Sequence, residues 1–161
     1  MSEAVLHMLC GKIAAGKSTL SAELGKGAGT LVLCEDEWLY ALFADRLETL
    51  ADYADCTARL REIVGPLCID LLRAGNSVVL DFAANRPAER AWMRGLALAA
   101  GAQVRLHYLA VDDATCLARL KARNARGGHP FQVSEAQFHR ITSHFVPPTE
   151  DEGFDVIEHP A

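Results

Sequence analysis

The residues best suited to chemistry stand near the start of the chain, in the segment Gly11–Thr19. It reads GKIAAGKST, so four residues separate two glycines and the second glycine precedes a lysine and a serine. This is the spacing of a phosphate-binding loop (P-loop), in which glycines let successive backbone N–H groups turn toward an anion. The apolar run Val5–Cys10 precedes the loop, and the helical pattern to about Leu24 follows it. The segment therefore predicts a site for a nucleoside triphosphate.

Within this loop, the backbone and the N-terminus of the following helix are expected to bind phosphate oxygens. Lys17 would place an ammonium group on the β- and γ-phosphates, and the hydroxyl of Ser18 would bind Mg²⁺. The residues predicted to contact the nucleotide are Gly11, Lys12, Ala14, Ala15, Gly16, Lys17, Ser18 and Thr19.

Three carboxylates, Glu35, Asp36 and Glu37, follow the apolar run Thr30–Cys34. In parallel sheets ligands bind beyond the carboxyl ends of the strands, so these side chains would lie beside the phosphate loop. Phosphoryl transfer needs a carboxylate that orients the acceptor hydroxyl and takes its proton, and any of the three could supply it. Asp36 could instead cap the next helix. Trp38 is either a core residue or a surface on which a substrate packs.

A fourth carboxylate, Asp81, follows the predicted strand Ser77–Leu80, whose last three residues are apolar. An apolar strand that ends in aspartate is typical of a Walker B element, which helps to hold Mg²⁺; the alternative is a cap or turn residue. Arg86 and Arg90 follow, and they would bind an anionic substrate or form surface ion pairs.

Four cations, Arg119, Lys121, Arg123 and Arg126, stand close together in an otherwise acidic chain. Guanidinium groups spread positive charge over a transferring phosphoryl group, so Arg123 and Arg126 are predicted to contact phosphate. Gly127-Gly128, directly behind them, is the expected hinge of a loop that closes over the nucleotide. Lys121 is better explained as part of a basic helix end, which the helix dipole favours.

Strands and helices alternate along the chain, as is typical of a parallel sheet with helices on both faces. The pattern breaks around Asp52–Cys56. The other predicted elements are helices over Leu60–Arg73, Pro87 to about Ala100, Asp112 or Asp113 to about Asn124, and Ser134 onward to Pro147-Pro148, with strands over Val104–Ala110 and Phe154–Ile157. With no visible linker or repeat, residues 1–161 are predicted to form a single domain.

Composition narrows the classes of protein that the chain could be. Half of the residues are apolar, which is typical of a folded domain, and the net charge of −5 disfavours a general nucleic-acid binder. Five cysteines with no C-x-x-C pair indicate buried thiols in a reducing compartment. No signal peptide or long apolar run is present, so a cytoplasmic protein without membrane partners is expected.

The order of these motifs resembles the small P-loop kinase group that includes chloramphenicol phosphotransferase, zeta-type toxins and the kinase domain of polynucleotide kinases. The resemblance rests on the P-loop, Asp36 with Glu37-Trp38, Asp81 with the two arginines beyond it, the run from Arg119 to Arg126, and the ending Phe145–Pro148 with Glu152–Ile157. It covers nearly the whole chain.

This resemblance implies a P-loop NTPase fold with a five-stranded parallel sheet in the order 2-3-1-4-5, and ATP with Mg²⁺ as cofactors. It implies that Asp36 is the catalytic base, that Arg123 and Arg126 are lid arginines, and that Pro147–Gly153 lies near the adenine. The predicted activity is Mg²⁺-dependent transfer of the γ-phosphoryl group of ATP to a hydroxyl of a small molecule.

Two other activities are considered. One is a polynucleotide 5′-hydroxyl kinase, which the acidic balance and the few aromatic residues disfavour. The other is a nucleotide-binding ATPase or switch without acceptor kinase activity; the chain has no N-K-x-D motif and no D-x-x-G after the third strand. The identity of the acceptor does not follow from the sequence.

Overall fold

A computed structural model describes residues 3–127 and 132–160 of the chain. Its centre is one five-stranded sheet in the order β2-β3-β1-β4-β5, in which all neighbouring strands are parallel. The predicted α/β fold and its strand order are therefore confirmed. The strands are β1 (Val5–Cys10), β2 (Thr30–Cys34), β3 (Ser77–Ala83), β4 (Gln103–Ala110) and β5 (Val156–Pro160).

Six α-helices connect and follow the strands in the described part of the chain. They are α1 (Lys17–Leu24), α2 (Glu35–Phe43), α3 (Leu50–Arg73), α4 (Pro87–Ala100), α5 (Asp113–Arg126) and α6 (Glu135–Thr142). Short 3₁₀ turns occupy Ala44–Arg46 and Glu150–Glu152. Asp112 caps α5 by accepting a hydrogen bond from the Thr115 N–H, 2.7 Å, and Ser134 begins the predicted capping box of α6.

The helix α3 differs most from the sequence-based expectation. The predicted break at Asp52–Cys56 is wrong, because a continuous helix of 24 residues runs from Leu50 to Arg73. A reciprocal capping box between Thr49 and Asp52 begins it, with hydrogen bonds of 3.0 and 3.2 Å. One side of the helix packs in the core through Cys56, Leu60, Val64 and Cys68.

Four other boundaries differ from the prediction. The helix α6 ends at Thr142 and does not continue to the predicted Pro147-Pro148. The strand β3 extends to Ala83, so Asp81 lies within the strand and not after it. The helix α5 continues to Arg126, where Gly127 ends it with a φ of 70°. The last strand begins at Val156, two residues later than predicted, and ends at Pro160.

The sheet is covered by two apolar clusters. The larger one joins β1, β3 and β4 to α2, α3 and α4. The smaller one joins the phosphate loop to α5 and α6 through Ala15, Leu109, Cys116, Leu120 and Phe138. This second cluster fixes the arginine-bearing helix α5 relative to the loop.

None of the helices in the described residues is long and apolar enough to cross a membrane. The five cysteines are free thiols, and four of them are buried. Burial raises the pKa of Cys10 and of Cys68 to about 11, so both thiols stay protonated at neutral pH.

Arg90 is a structural residue, and the prediction that it binds substrate is wrong. Its side chain is 0% exposed and forms a two-pronged ion pair with Glu152, at 2.8 and 3.1 Å. Its remaining nitrogen donates to the carbonyls of Ala84 and Val146, at 3.0 and 2.9 Å. These bonds hold the segment after α6 against the start of α4, and the Arg90 hydrogen bond lowers the pKa of Glu152.

Replacing Glu152 with alanine is expected to lower the free energy of unfolding by about 3 kcal/mol, because the guanidinium of Arg90 would remain buried without its counter-charge. Urea denaturation followed by circular dichroism measures this change. Glu150→Ala, in the same 3₁₀ turn, is the matched control and should change the free energy by less than about 0.5 kcal/mol. Equal effects of the two substitutions would contradict a structural role for the pair.

Candidate active site

The phosphate loop has the backbone shape of an anion cradle. Ala14 has a φ of 64° and Gly16 a φ of 108°, with Ala15 between them, and such alternation turns successive N–H groups to one side. A Cβ added to Gly11 would meet the Cβ of Leu109 at 3.2 Å. The N–H of Gly11 already donates to Asn85 Oδ1 at 2.9 Å. Glycine is therefore needed at this position because there is little room for a side chain.

The two lysines of the loop have different environments. Lys17 is partly covered by the loop, and its Nζ donates to the carbonyls of Gly11 and Lys12, the latter at 3.0 Å. Burial lowers the pKa of Lys17, while the charge of Asp81 raises it. The side chain of Lys12 points to the start of α5 and forms an ion pair with Asp113 at 2.6 Å. The predicted nucleotide contact of Lys12 therefore rests on its backbone.

A cleft of about 1540 Å³ opens above the loop. Clefts for one small ligand enclose roughly 300–1,000 Å³, so this cleft has room for a nucleotide and a second molecule. The loop from Lys12 to Thr19 lines it, together with two groups of elements. The first wall is formed by α2, by α3 with the residues just before it, and by the start of α4. The second wall is formed by α5, α6 and the residues after α6.

The two walls carry opposite charge. The first wall has four carboxylates and two arginines: Glu35, Asp36, Glu48, Glu89, Arg61 and Arg86. The second wall, within the described residues, has only arginines as charged side chains: Arg119, Arg123, Arg126 and Arg140. A ligand with phosphate groups is therefore attracted to the second wall, and the first wall suits a different kind of ligand.

Asp36 lies in the first turn of α2, facing the cleft. Its Oδ1 accepts a hydrogen bond of 3.0 Å from the hydroxyl of Tyr53 on α3. Glu37 is exposed and does not line the cleft, whereas Glu35 lines it and is 7% exposed. Of the three carboxylates considered from the sequence, the structure therefore places Asp36 and Glu35 in the cleft.

Burial raises the pKa of Glu35 to about 7, although the charge of Arg61 opposes the shift. Its Oε2 is buried and has no hydrogen-bond partner among the described residues. Ionising a buried carboxyl group that has no hydrogen-bond partner costs free energy. A carboxyl group with a pKa raised in this way is a candidate for ligand contact when it lines a cleft.

We expect Glu35→Gln to stabilise the protein above pH 7 and to leave it unchanged below about pH 4.5. The pKa of Glu35 rises from 4.5 to about 7 on folding, so the folded state binds the proton more tightly and the wild type loses stability as pH rises through that window. The loss amounts to at most about 3 kcal/mol, and glutamine avoids it. Thermal unfolding of both proteins between pH 4.5 and 8.5 tests this, with the exposed Glu62→Gln on α3 as control. A pH-independent difference would contradict it.

Ser18 and Asp81 both line the cleft, at the start of α1 and on β3. Burial raises the pKa of Asp81, while a hydrogen bond from Ser21 and the charge of Lys17 lower it. A hydroxyl and a carboxylate are the oxygen ligands that Mg²⁺ prefers, so these two residues fit the predicted ion.

The arginines of α5 point toward the loop from the second wall. Arg119 donates to the carbonyl of Ala15 at 3.4 Å. The Nε of Arg123 is buried and has no partner among residues 3–127 and 132–160. Burial lowers the pKa of Arg123 and the charge of Asp36 raises it. Arg126 also lines the cleft. The predicted hinge residue Gly128 lies outside the described residues.

Three remaining predictions concern substrate and adenine contacts. Trp38 packs against the larger core and does not line the cleft. Arg86 does line it and forms an ion pair with Glu89 at 3.2 Å. No residue of Pro147–Gly153 lines the cleft; Phe145 does, stacked against Tyr108 with ring centroids 6.3 Å apart.

Sequence reasoning missed the contribution of α3. Tyr53, Thr57 and Arg61 line the cleft from positions four residues apart, which places them on one face of the helix. The Thr49-x-x-Asp52 spacing was the available signal, because a capping box marks a helix start there.

The AAA domain family model AAA_33 matches residues 6–148. No curated protein matches the chain in sequence.

Solved structures share the fold at low sequence identity. A Chloroflexus aurantiacus protein with a provisional kinase name has a TM-score of 0.78 and 18% identity, over 99% of this chain and 86% of that one. The APS kinase CysC of Mycobacterium tuberculosis, in complex with AMPPNP and APS, has a TM-score of 0.62 and 20% identity, over 99% and 90%. A gluconokinase of Sinorhizobium meliloti has a TM-score of 0.60 and 12% identity, over 98% and 82%.

Proposed function

Because the chain belongs to the AAA domain family AAA_33, we propose that it is a single-domain, ATP-dependent kinase that phosphorylates a hydroxyl of a small molecule. The observation that carries the proposal is a cleft in which the P-loop, a wall of arginines and a wall of carboxylates meet. Such a cleft suits two ligands of different charge, namely a negatively charged phosphoryl donor and an alcohol acceptor.

The donor would lie against the loop and the second wall. ATP supplies the phosphoryl group when bound, and Mg²⁺ neutralises charge on its phosphates. Backbone N–H groups of the loop would bind phosphate oxygens, and Lys17 would bind the terminal phosphates. Ser18 and Asp81 would hold Mg²⁺. Arg123 and Arg126 would stabilise the charge of the group in transfer.

The acceptor would lie against the first wall, where Asp36 would orient its hydroxyl and take the proton. The hydrogen bond from Tyr53 holds the Asp36 carboxylate in one orientation, because it occupies Oδ1 and leaves Oδ2 for the acceptor. Support by analogy comes from the APS kinase of similar fold, whose structure contains AMPPNP together with a second ligand, APS.

An ATP-consumption screen tests the proposal. Purified protein with ATP and Mg²⁺ is incubated with pools of sugars, polyols, nucleosides, antibiotics and 5′-hydroxyl oligonucleotides, and products are identified by mass. The expected result is one acceptor class that gains a phosphoryl group, with Asp36→Asn inactive on it. Transfer to oligonucleotides alone would replace this proposal with a polynucleotide kinase. ATP hydrolysis that no acceptor stimulates would favour an ATPase.

A further inference from the structure

We propose that the first turn of α2 and the cleft-facing side of α3 form the acceptor subsite, and that Glu35, Thr57 and Arg61 select an uncharged polyhydroxyl compound there. The inference rests on the proposed kinase function and specifies its substrate class. It is carried by buried polar atoms that the protein itself leaves without partners.

Three such atoms lie on this wall. Glu35 Oε2, Thr57 Oγ1 and Arg61 Nε are buried and have no hydrogen-bond partner in the described part of the chain. All three residues line the cleft. A buried polar group without a partner is destabilising, so three of them on one wall are groups that a ligand in the cleft would satisfy.

The mixture of atoms indicates the chemistry of that ligand. Glu35 Oε2 accepts a hydrogen bond when ionised, Arg61 Nε only donates, and the Thr57 hydroxyl does both. An alcohol group also donates and accepts, so neighbouring hydroxyls can satisfy all three atoms. A protonated amine cannot accept from Arg61.

The charge of the wall disfavours an anionic acceptor. Arg61 and Arg86 both pair with the one carboxylate of Glu89, each at 3.2 Å, so part of their positive charge is already neutralised before a ligand arrives. The carboxylate of Asp36 lines the same wall and would repel an anion. The charges on this wall therefore disfavour the binding of an anion.

The donor on Arg61 is held in place before any ligand arrives. Its guanidinium lies over the ring of Trp92, 5.0 Å from the centroid, and its Nη2 is fixed by Glu89. Glu35 is fixed by its burial. A wall of ordered hydrogen-bonding groups discriminates well, because a ligand that lacks the matching hydroxyl leaves them without partners.

Equilibrium binding tests the inference without turnover. The whole protein is titrated by calorimetry, with and without AMPPNP and Mg²⁺, using four-, five- and six-carbon polyols, each beside the acid and the amine of the same skeleton. At least one polyol is expected to bind about 10-fold more tightly than its acid and its amine. Tighter binding of an acid or an amine, or no polyol binding in either series, would overturn the inference.

Matched variants connect the binding to these residues. Glu35→Gln and Thr57→Val are each expected to weaken polyol binding by about 10-fold and to leave the Kd of AMPPNP unchanged. Glu62→Gln, exposed on α3, is the control and should change neither. Unchanged polyol binding in both variants, with folding confirmed by thermal unfolding, would also overturn it. Failure of AMPPNP to bind the wild type would instead contradict the proposed kinase function, and the titrations without AMPPNP still test the subsite.

Discussion

Lys17→Ala is expected to lower the rate of phosphoryl transfer by at least ~10³-fold. In the proposed mechanism its ammonium group neutralises charge on the terminal phosphates, and no other lysine takes that position, since Lys12 is engaged by Asp113. Single-turnover measurement of labelled phosphate transfer to the acceptor found in the screen gives the rate.

The fold is expected to tolerate this change, because burial already disfavours the charged form of Lys17 and alanine removes that cost. Lys26→Ala is the matched control, because Lys26 is exposed on the turn after α1, pairs with Glu23 and does not line the cleft. A near-normal rate in Lys17→Ala would mean that the P-loop does not hold the reacting phosphates.

Asp36→Asn is expected to reduce transfer by ~10²–10⁴-fold while the affinity for ATP stays unchanged. Asparagine keeps the size of the side chain and can still accept the Tyr53 hydrogen bond, but it cannot take a proton from the acceptor. Rates at saturating acceptor, together with a separate ATP titration, distinguish this loss from a binding defect.

The exposed Asp70→Asn on α3 provides the control for an aspartate-to-asparagine change. If Asp36→Asn transferred phosphate normally and Glu35→Gln did not, Glu35 would be the base and the assignment of the two carboxylates would be reversed.

Local patterns in the sequence were sufficient for the fold class, whereas the strand order came from the resemblance to small P-loop kinases. The P-loop defines its own strand, turn and helix, and a parallel sheet follows from the alternation of elements. The capping box at Ser134 was recognised because its two residues, Ser134 and Gln137, are only three positions apart in the sequence. Asp81 was predicted to reach the site, and β3 brings it there even though the strand continues beyond it.

The helix α3 was misread for a physical reason. Its first half turns one face to the cleft, so Tyr53, Thr57 and Arg61 replace apolar residues that would have continued a helical pattern. A helix that turns part of its inner face to a polar cleft has a narrower apolar stripe than a helix whose whole inner face packs against the core. Because this half of the helix was not predicted, its residues on the proposed acceptor side of the cleft were not predicted either.

The misassigned role of Arg90 shows a second limit. Its partner Glu152 stands 62 residues further along the chain, so nothing near Arg90 indicates that its charge is already matched. Glu35 presents the same problem, because its burial and its raised pKa depend on how α3 packs beside α2. Contacts with residues distant in the sequence decide whether a charged side chain stabilises the fold or binds a ligand. A local sequence pattern does not show those contacts.

The contacts between the phosphate loop and α5 have a consequence for affinity. The Lys12–Asp113 ion pair, the Arg119 bond to the Ala15 carbonyl and the apolar cluster beneath them join loop and helix at several points. The conformational entropy of this cationic helix is therefore lost when the chain folds and not when a nucleotide arrives. A preorganised site of this kind keeps more of its interaction energy as affinity.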